Sequence, residues 1–322
     1  MDGYGAAVRL TFLDTSAGTP TLTRNVTAQA LRFDDGRLWL LDCGEGTQQQ
    51  AMRAGLRLAR LERILVTHLH GDHSYGLPGM LACAAIHGRT EPIELVGPPG
   101  LARLIATILE LTSANLPFAV PVREVERPGE LLTHAGWSVS AWPLSHRVAC
   151  FGYVLREDPR PGRLHPERAA AFGLAPGPAY QRLQRGESVT APDGRAVLAA
   201  EVCDPPRPGR TIALLGDTSD PSALIAQAQG CDLIVHEATY DASRPDKALT
   251  WGHATSAMAG RAARACQART LILTHFSSRY ESDSSRVDVP SIADLVREAA
   301  AECPGTQVLA AHDLWSFDLP VH

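Results

Sequence analysis

Four ligand-type side chains fall within six positions at His68-Leu69-His70-Gly71-Asp72-His73. Neutral imidazole and ionised carboxylate are the donors that a zinc ion takes when its site must keep a position open for chemistry. Gly71 reads as the point where the backbone turns sharply, so that both halves of the hexapeptide converge. The apolar run RILVT at 63–67 leads straight into it. Three more apolar runs end in a residue able to bind metal. The run 211–215 leads to Gly216-Asp217-Thr218, 233–236 ends on His236 before Glu237-Ala238-Thr239, and 271–274 ends at His275. In layered α/β proteins the strand ends and the loops beyond them are where sites gather.

The elements that must position these residues alternate in type. Strands are expected at 8–13, 30–33, 38–41 and 93–96, the third following an Asp-Asp-Gly turn at 34–36. Helices are expected at 52–61, 79–87, 101–111 and 254–266. This alternation predicts an α/β layered architecture. The stretch 156–195 differs: six prolines and five glycines in 40 residues, with seven arginines against five acids. It reads as a surface insertion with one short helix around 167–172. GEGTQQ at 44–49 lacks the Lys-Ser/Thr pair of a phosphate-binding P-loop.

Composition narrows the class. With 322 residues, 45% of them hydrophobic, the chain can bury enough apolar surface to fold, which excludes disorder for most of it. No apolar run approaches the roughly 20 residues of a membrane span, and Asp2 and Asp14 stand where a secretory leader would be basic and then apolar. The seven cysteines form no CxxC pair, which argues against a disulfide framework and places the protein in the reducing cytoplasm. A net charge of −5 does not advertise a nucleic-acid binder. Of 30 basic residues, however, only Lys247 is lysine, so nearly every cation is a planar arginine fork suited to phosphate.

HxHxDH at 68–73 is the signature of the metallo-β-lactamase superfamily. The chain resembles the ribonuclease Z family, the tRNA 3′-processing endonucleases, over nearly its full length. The resemblance is carried by TRN at 23–25, LLDCGEGTQQQ at 40–50, THLHGDHSYGLPGML at 67–81, PLSHRVACFGY at 143–153, Gly177-Pro178 with RGESV at 185–189, GDT at 216–218, HEATY at 236–240, GHAT at 252–255 and THFSSRY at 274–280. One departure is visible: where the family usually has Leu-Gly-Thr near the start, this chain has Leu13-Asp14-Thr15, which bears on local geometry if that glycine admits a neighbouring backbone.

The resemblance implies a four-layer αβ/βα sandwich with a protruding arm, spanning 1–322 as a single domain with 156–195 inserted. It implies two zinc ions per chain, one held by His68, His70, His146 and Asp217, the other by Asp72, His73, Asp217 and His275. Asp217 would bridge them, since a carboxylate has two oxygens and an imidazole one lone pair. Both sets are complete without His236, which reads as a structural hydrogen-bonder. Asp72 is the implied base that orients the attacking water, His253 the proton donor to the leaving oxygen, and Arg279 the phosphate clamp. Glu237 is our own addition, as the group that orients His253. His87, His134, His165, His312 and His322 receive no role, and the last lies outside the residues described below.

The implied activity is zinc-dependent endonucleolytic removal of the 3′ trailer from precursor tRNA. The arm, with Gly177 and Pro178, would bind the tRNA elbow by shape and backbone and not by base sequence. In the family one subunit's arm serves the other's site, which implies a homodimer. Two competing readings stand beside it: a phosphodiesterase or other small-ester hydrolase on the same metal core, and a non-catalytic binding protein that kept the fold.

Overall fold

A computed structural model describes residues 8–280 and 289–320. Among these the chain divides into two compact units, one of 8–133, 138–155 and 211–320, the other of 134–137 and 156–210.

The first unit is built on two seven-stranded sheets. One has the order Trp315–Leu319, Val8–Asp14, Ala28–Arg32, Leu38–Leu41, Leu61–Leu65, Glu94–Gly97, Val122–Glu124. The first four of these strands pair antiparallel and the last four pair parallel, so the sheet is mixed. The other has the order Gln307–Ala310, Thr270–Thr274, Leu233–Glu237, Thr211–Leu214, Cys150–Glu157, Trp137–Leu144, Gly129–His134, its first four strands parallel. Strands covered on both faces are continuous apolar runs. LWLL at Leu38–Leu41 and TLILT at Thr270–Thr274 are buried throughout.

Helices Leu77–Ile86 and Leu101–Leu111 cover the outer face of the first sheet, with Leu77, Leu81, Leu101 and Ile105 packed against Leu40, Ile64 and Leu95. Helices Ser256–Ala265 and Ile292–Glu302 cover the second, through Ala259, Ala263, Leu295 and Ala299 against Ile234, Leu271 and Leu273. The inner faces meet where Leu31, Leu41 and Leu65 approach Leu155 and Leu214, and Tyr153 Oη donates to the Val66 carbonyl at 2.6 Å. The result is the αβ/βα sandwich that the sequence predicted. Both parallel blocks point their C-terminal ends at the same edge, which brings the loops after Leu41, Leu65, Leu214, Glu237 and Thr274 together.

Two local expectations need correction. The helix expected at 52–61 is instead Thr47–Arg53 followed by a single turn, Leu58–Arg60. Gly55, at φ 68°, ends the helix early. The second unit has more order than the one short helix expected. It holds helices Pro166–Ala171, Pro178–Gln184 and Ala199–Val202, and pairs Val189–Thr190 with Ala196–Val197. Pro166 and Pro178 start helices here, at the position where a missing N–H costs nothing. Its small core includes Leu164, Leu174, Leu183, Val197 and Val202.

Candidate metal centre

The strand Leu61–Leu65 delivers Thr67 and His68, both fully buried, into the turn that carries His70, Asp72 and His73. Gly71 is not where that turn gets its freedom, because it starts the short helix Gly71–Ser74 at an ordinary φ. The glycines that admit close approach are Gly44 and Gly76: a Cβ on Gly76 would lie 1.9 Å from the Gly44 carbonyl oxygen. That contact seats the turn against the loop after Leu38–Leu41, where the Cys43 N–H donates to the His73 carbonyl at 2.9 Å.

Among the described residues donor atoms gather in four overlapping groups, each group's atoms within 4.8 Å of one another: His68, His70 and His146 in one, Asp72, His73, Asp217 and His275 in a second, and two at the margin that include His253, with His146 and Asp217 or with Glu237 and His275. His68 Nε2 and His146 Nε2 lie 3.0 and 3.2 Å from His70 Nδ1. In the second group His275 Nε2 lies 3.4 Å from Asp72 Oδ2, Asp217 Oδ1 and His73 Nε2 alike. Asp217 reaches both of these first two groups, with Oδ2 3.5 Å from His73 Nε2 and 3.8 Å from His68 Nε2.

Each inner imidazole is held by its far nitrogen. His73 Nδ1 donates to Asp42 Oδ2 at 2.7 Å. His146 Nδ1 donates to the Gly252 carbonyl at 2.7 Å. Thr67 Oγ1 donates to Asp42 Oδ2 (2.9 Å) and accepts His68 Nδ1 (3.0 Å). Thr239 Oγ1 donates to Glu237 Oε2 (2.5 Å) and accepts His275 Nδ1 (2.9 Å). These bonds hold each ring by Nδ1 and turn Nε2 of all four toward the cluster, the arrangement that metal-binding histidines require. Asp72 is held from outside by the Gly18 N–H at 2.9 Å.

Electrostatics agree with this donor chemistry. Burial alone would raise Asp217, yet His275 and His73 outweigh it and hold the carboxylate well below its ordinary range. Burial opposes charge on His73, but Asp217 and Asp42 hold its pKa well above the usual value. A buried cluster of ionised carboxylates thus demands positive charge, and imidazole Nε2 atoms converge where a cation would supply it in place of the His73 proton. The residues fit a divalent metal centre.

His253 stands at the edge of the cluster, its Nδ1 3.2 Å from Glu237 Oε2 and 3.7 Å from Asp217 Oδ2. Burial lowers its affinity for a proton, but the Glu237 carboxylate outweighs burial and pushes His253 up to about 9. Glu237, 2% exposed, also accepts the Thr218 N–H at 2.7 Å. Arg279 lies outside the cluster, over the Tyr240 ring at 5.8 Å, and Tyr240 in turn is in ring contact with His253 at 6.3 Å. His236 points away from the donors. Gly177 and Pro178 belong to the second unit, where they open the helix Pro178–Gln184. Asp14 is buried, its Oδ2 accepting the Thr47 hydroxyl at 3.1 Å while Oδ1 has no hydrogen-bond partner among the described residues.

Asp42 and Thr239 hold cluster histidines although neither is marked as a site residue by the sequence. Asp42 is 1% exposed, at φ 59°, and takes the Thr67 N–H (2.7 Å) besides Thr67 Oγ1 and His73. The signal was present, since a lone carboxylate after the apolar strand LWLL is the same pattern that marked Asp217.

A two-sheet αβ/βα sandwich with the HxHxDH turn at its edge defines a protein of the metallo-β-lactamase superfamily, and residues 37–165 match the beta-lactamase superfamily domain. Ribonuclease BN of Cronobacter sakazakii is 44% identical over 86% of this chain and 91% of its own length. Ribonuclease Z of Acaryochloris marina is 39% identical over 97% of this chain and 98% of its own. The crystal structure of human tRNase Z, short form, superposes with a TM-score of 0.69 at 30% identity, covering 97% of this chain and all of that one. The chain belongs to the ribonuclease Z family. Among the described residues no helix is long and apolar enough to cross a membrane.

Proposed function

We propose that this protein is a zinc-dependent endoribonuclease that hydrolyses the 3′ trailer from precursor tRNA, leaving a 3′-hydroxyl on the tRNA and a 5′-phosphate on the trailer. The observation that carries this reading is a seven-donor cluster with the His253–Glu237 pair at its edge, in a chain of this family. His68, His70, His146 and Asp217 would hold one zinc ion, and Asp72, His73, Asp217 and His275 the other. Bound there, the two ions would supply positive charge at the scissile phosphate and lower the pKa of water.

The chain's own residues do the rest. Asp72, fixed by the Gly18 N–H, orients the attacking water through its carboxylate. His253, charged beside Glu237, donates its proton to the leaving 3′ oxygen. Glu237 keeps His253 aimed, and through Thr239 it also keeps His275 aimed. Arg279 is the phosphate clamp at the cluster's outer side. The 156–195 arm, with Gly177 and Pro178, binds the tRNA body, and its modest charge makes that contact sensitive to salt. A homodimer in the cytoplasm, with each arm serving the partner's site, completes the reading.

The test is incubation with a 3′-extended precursor tRNA, with and without chelator, followed by end mapping. A single chelator-sensitive cut at the base of the trailer is expected. No cut, or a cut indifferent to chelator, would overturn the proposal.

A further inference from the structure

The edge of the first sheet that lies opposite the metal site carries arginines without acids. Across it the strands pair Asp318 with Arg9, and Arg9 with Arg32. Arg9 claims Asp318 with two bonds, from Nε at 2.6 Å and from Nη2 at 2.8 Å. Arg32, next in line, adds only a through-space attraction to Asp318 and has no hydrogen bond or ion pair of its side chain among the described residues. Arg57 and Arg60, at the turn Leu58–Arg60, are exposed and have none either.

Arg32, Arg57 and Arg60 line one surface cavity of about 380 Å³. Leu38 and Leu56 give it apolar walls, and Gly36 and Gly55 put bare backbone where a side chain would narrow it. Among the described residues no carboxylate lines it. Elsewhere on this chain surface arginines take acids: Arg37 takes Asp35, Arg195 takes Glu201 and Arg261 takes Glu302. Three unanswered charges of one sign in a concavity repel one another, and apolar walls focus their field into the opening. The strand Leu61–Leu65 starts beside this cavity and ends at the metal centre, five residues or about 16 Å away, so the two places are separate.

We propose that this cavity binds a run of linked phosphoryl groups, with the guanidinium forks of Arg32, Arg57 and Arg60 on the phosphate oxygens. A planar fork of paired N–H donors matches phosphate geometry, and here no acid competes for it. A lone phosphate monoester carries about two negative charges at neutral pH, which leaves one fork unmatched. Two or three phosphoryl groups in a row match all three. The volume agrees, since it falls within the roughly 300–1,000 Å³ of small-ligand sites. Such a run reaches the protein either as the backbone of bound RNA or as a free oligophosphate. The RNA source rests on the RNA-processing reading above, whereas the charge and shape of the cavity do not.

The experiment is equilibrium dialysis of the full-length, metal-loaded protein against tripolyphosphate at about 0.15 M salt, with metal content measured in every sample. Tripolyphosphate that reaches the metal centre does so in every variant and drops out of the comparison. The wild type should bind tripolyphosphate more tightly than orthophosphate. Arg57→Ala combined with Arg60→Ala should weaken tripolyphosphate roughly tenfold or more, as expected when charge-assisted bonds are removed, with turnover of a small chromogenic phosphodiester unchanged. Arg103→Ala combined with Arg127→Ala removes the same charge from exposed positions outside the cavity and should leave binding as it was. Arg32→Gln, on another element, repeats the test if the first pair loses phosphodiester turnover. If the two pairs weaken binding equally, if the cavity variants bind as the wild type does, or if orthophosphate binds as tightly as tripolyphosphate, the proposal fails. A second arm measures affinity for a 3′-extended RNA with a non-hydrolysable trailer junction. A fall confined to the cavity variants assigns the site to RNA backbone, while unchanged RNA affinity with weakened tripolyphosphate binding assigns it to the free form. Failure to cleave precursor tRNA would sink the functional reading while leaving the dialysis result untouched.

Discussion

The metal cluster and the arm use the same residue types to opposite effect. In the cluster, Asp42, Asp217 and Glu237 are at most 3% exposed, and each answers to fixed partners. In the arm, Glu187 takes Arg182 at 2.8 Å and Arg185 at 2.9 Å, with all three side chains about half in water. Exposed pairs of that kind contribute about 0–1 kcal/mol, because water screens the attraction and ordering two long side chains costs entropy. Breaking one partner of a buried set costs about 3–5 kcal/mol, because a charge is left without solvent or partner. Burial decides this, and region does not. Within the second unit, Glu157 takes Arg210 Nε at 2.7 Å with the arginine side chain 2% exposed, and this pair follows the cluster's rule. The arm's surface charges are thus free to exchange partners for phosphates, while the cluster's are committed.

The contrast can be broken or sharpened in steps. Asp217→Ala should have the largest effect, removing metal and cleavage together, since this carboxylate alone reaches both donor groups. Metal analysis alongside a cleavage assay checks it, and full turnover without Asp217 would refute the cluster. Excising 159–208, which leaves Glu157 and Arg210 in place, should abolish cleavage of precursor tRNA yet spare a small chromogenic phosphodiester. Equal loss on both substrates would mean that the arm is structural.

His253→Ala should slow cleavage by about 10²–10⁴ with metal content unchanged, the usual worth of a positioned proton donor. Asp42→Ala should weaken metal binding by about 10–100-fold, since it frees the His73 ring and strands the Thr67 N–H. Competition with a chelator of known affinity measures this.

The smallest effect concerns Asp14, whose pKa burial pushes up to about 7. An unfolded aspartate ionises near pH ~3.9. Between those values the folded state keeps a proton that the unfolded state has lost. Stability therefore falls as pH rises from about 4 to about 7, and the cost, on the order of a few kcal/mol, is fully present above that. Asp14→Asn should raise Tm at pH 8 and change it little at pH 4. A gain that is equal at both pH values would remove ionisation as the cause.

The layered architecture was legible because long apolar runs separated by turn residues admit few packings. The cluster was legible in part because four of its donors sit in one hexapeptide, where density alone is improbable without a metal. His146, Asp217 and His275 stand singly, and without the family resemblance His146 and Asp217 have ordinary structural explanations, as a lone histidine before a strand and a turn-former. The helix at Thr47–Arg53 was misplaced because propensity does not mark where a positive-φ glycine will stop it. The order within 156–195 is hidden because proline marks a break in composition yet starts helices at Pro166 and Pro178.

Ligand types, strand ends and the apolar alternation are properties of short stretches, and the sequence by itself determined them. Tertiary structure alone decided which far nitrogen of each imidazole is held, that Asp42 and Thr239 do the holding, and that His236 points away from the donors while Glu237, one residue on, faces the metal site. Hydrogen bonds between residues as distant as His73 and Asp42, or Glu237 and His253, depend on how two sheets stack and where their edges align. No local pattern encodes that distance.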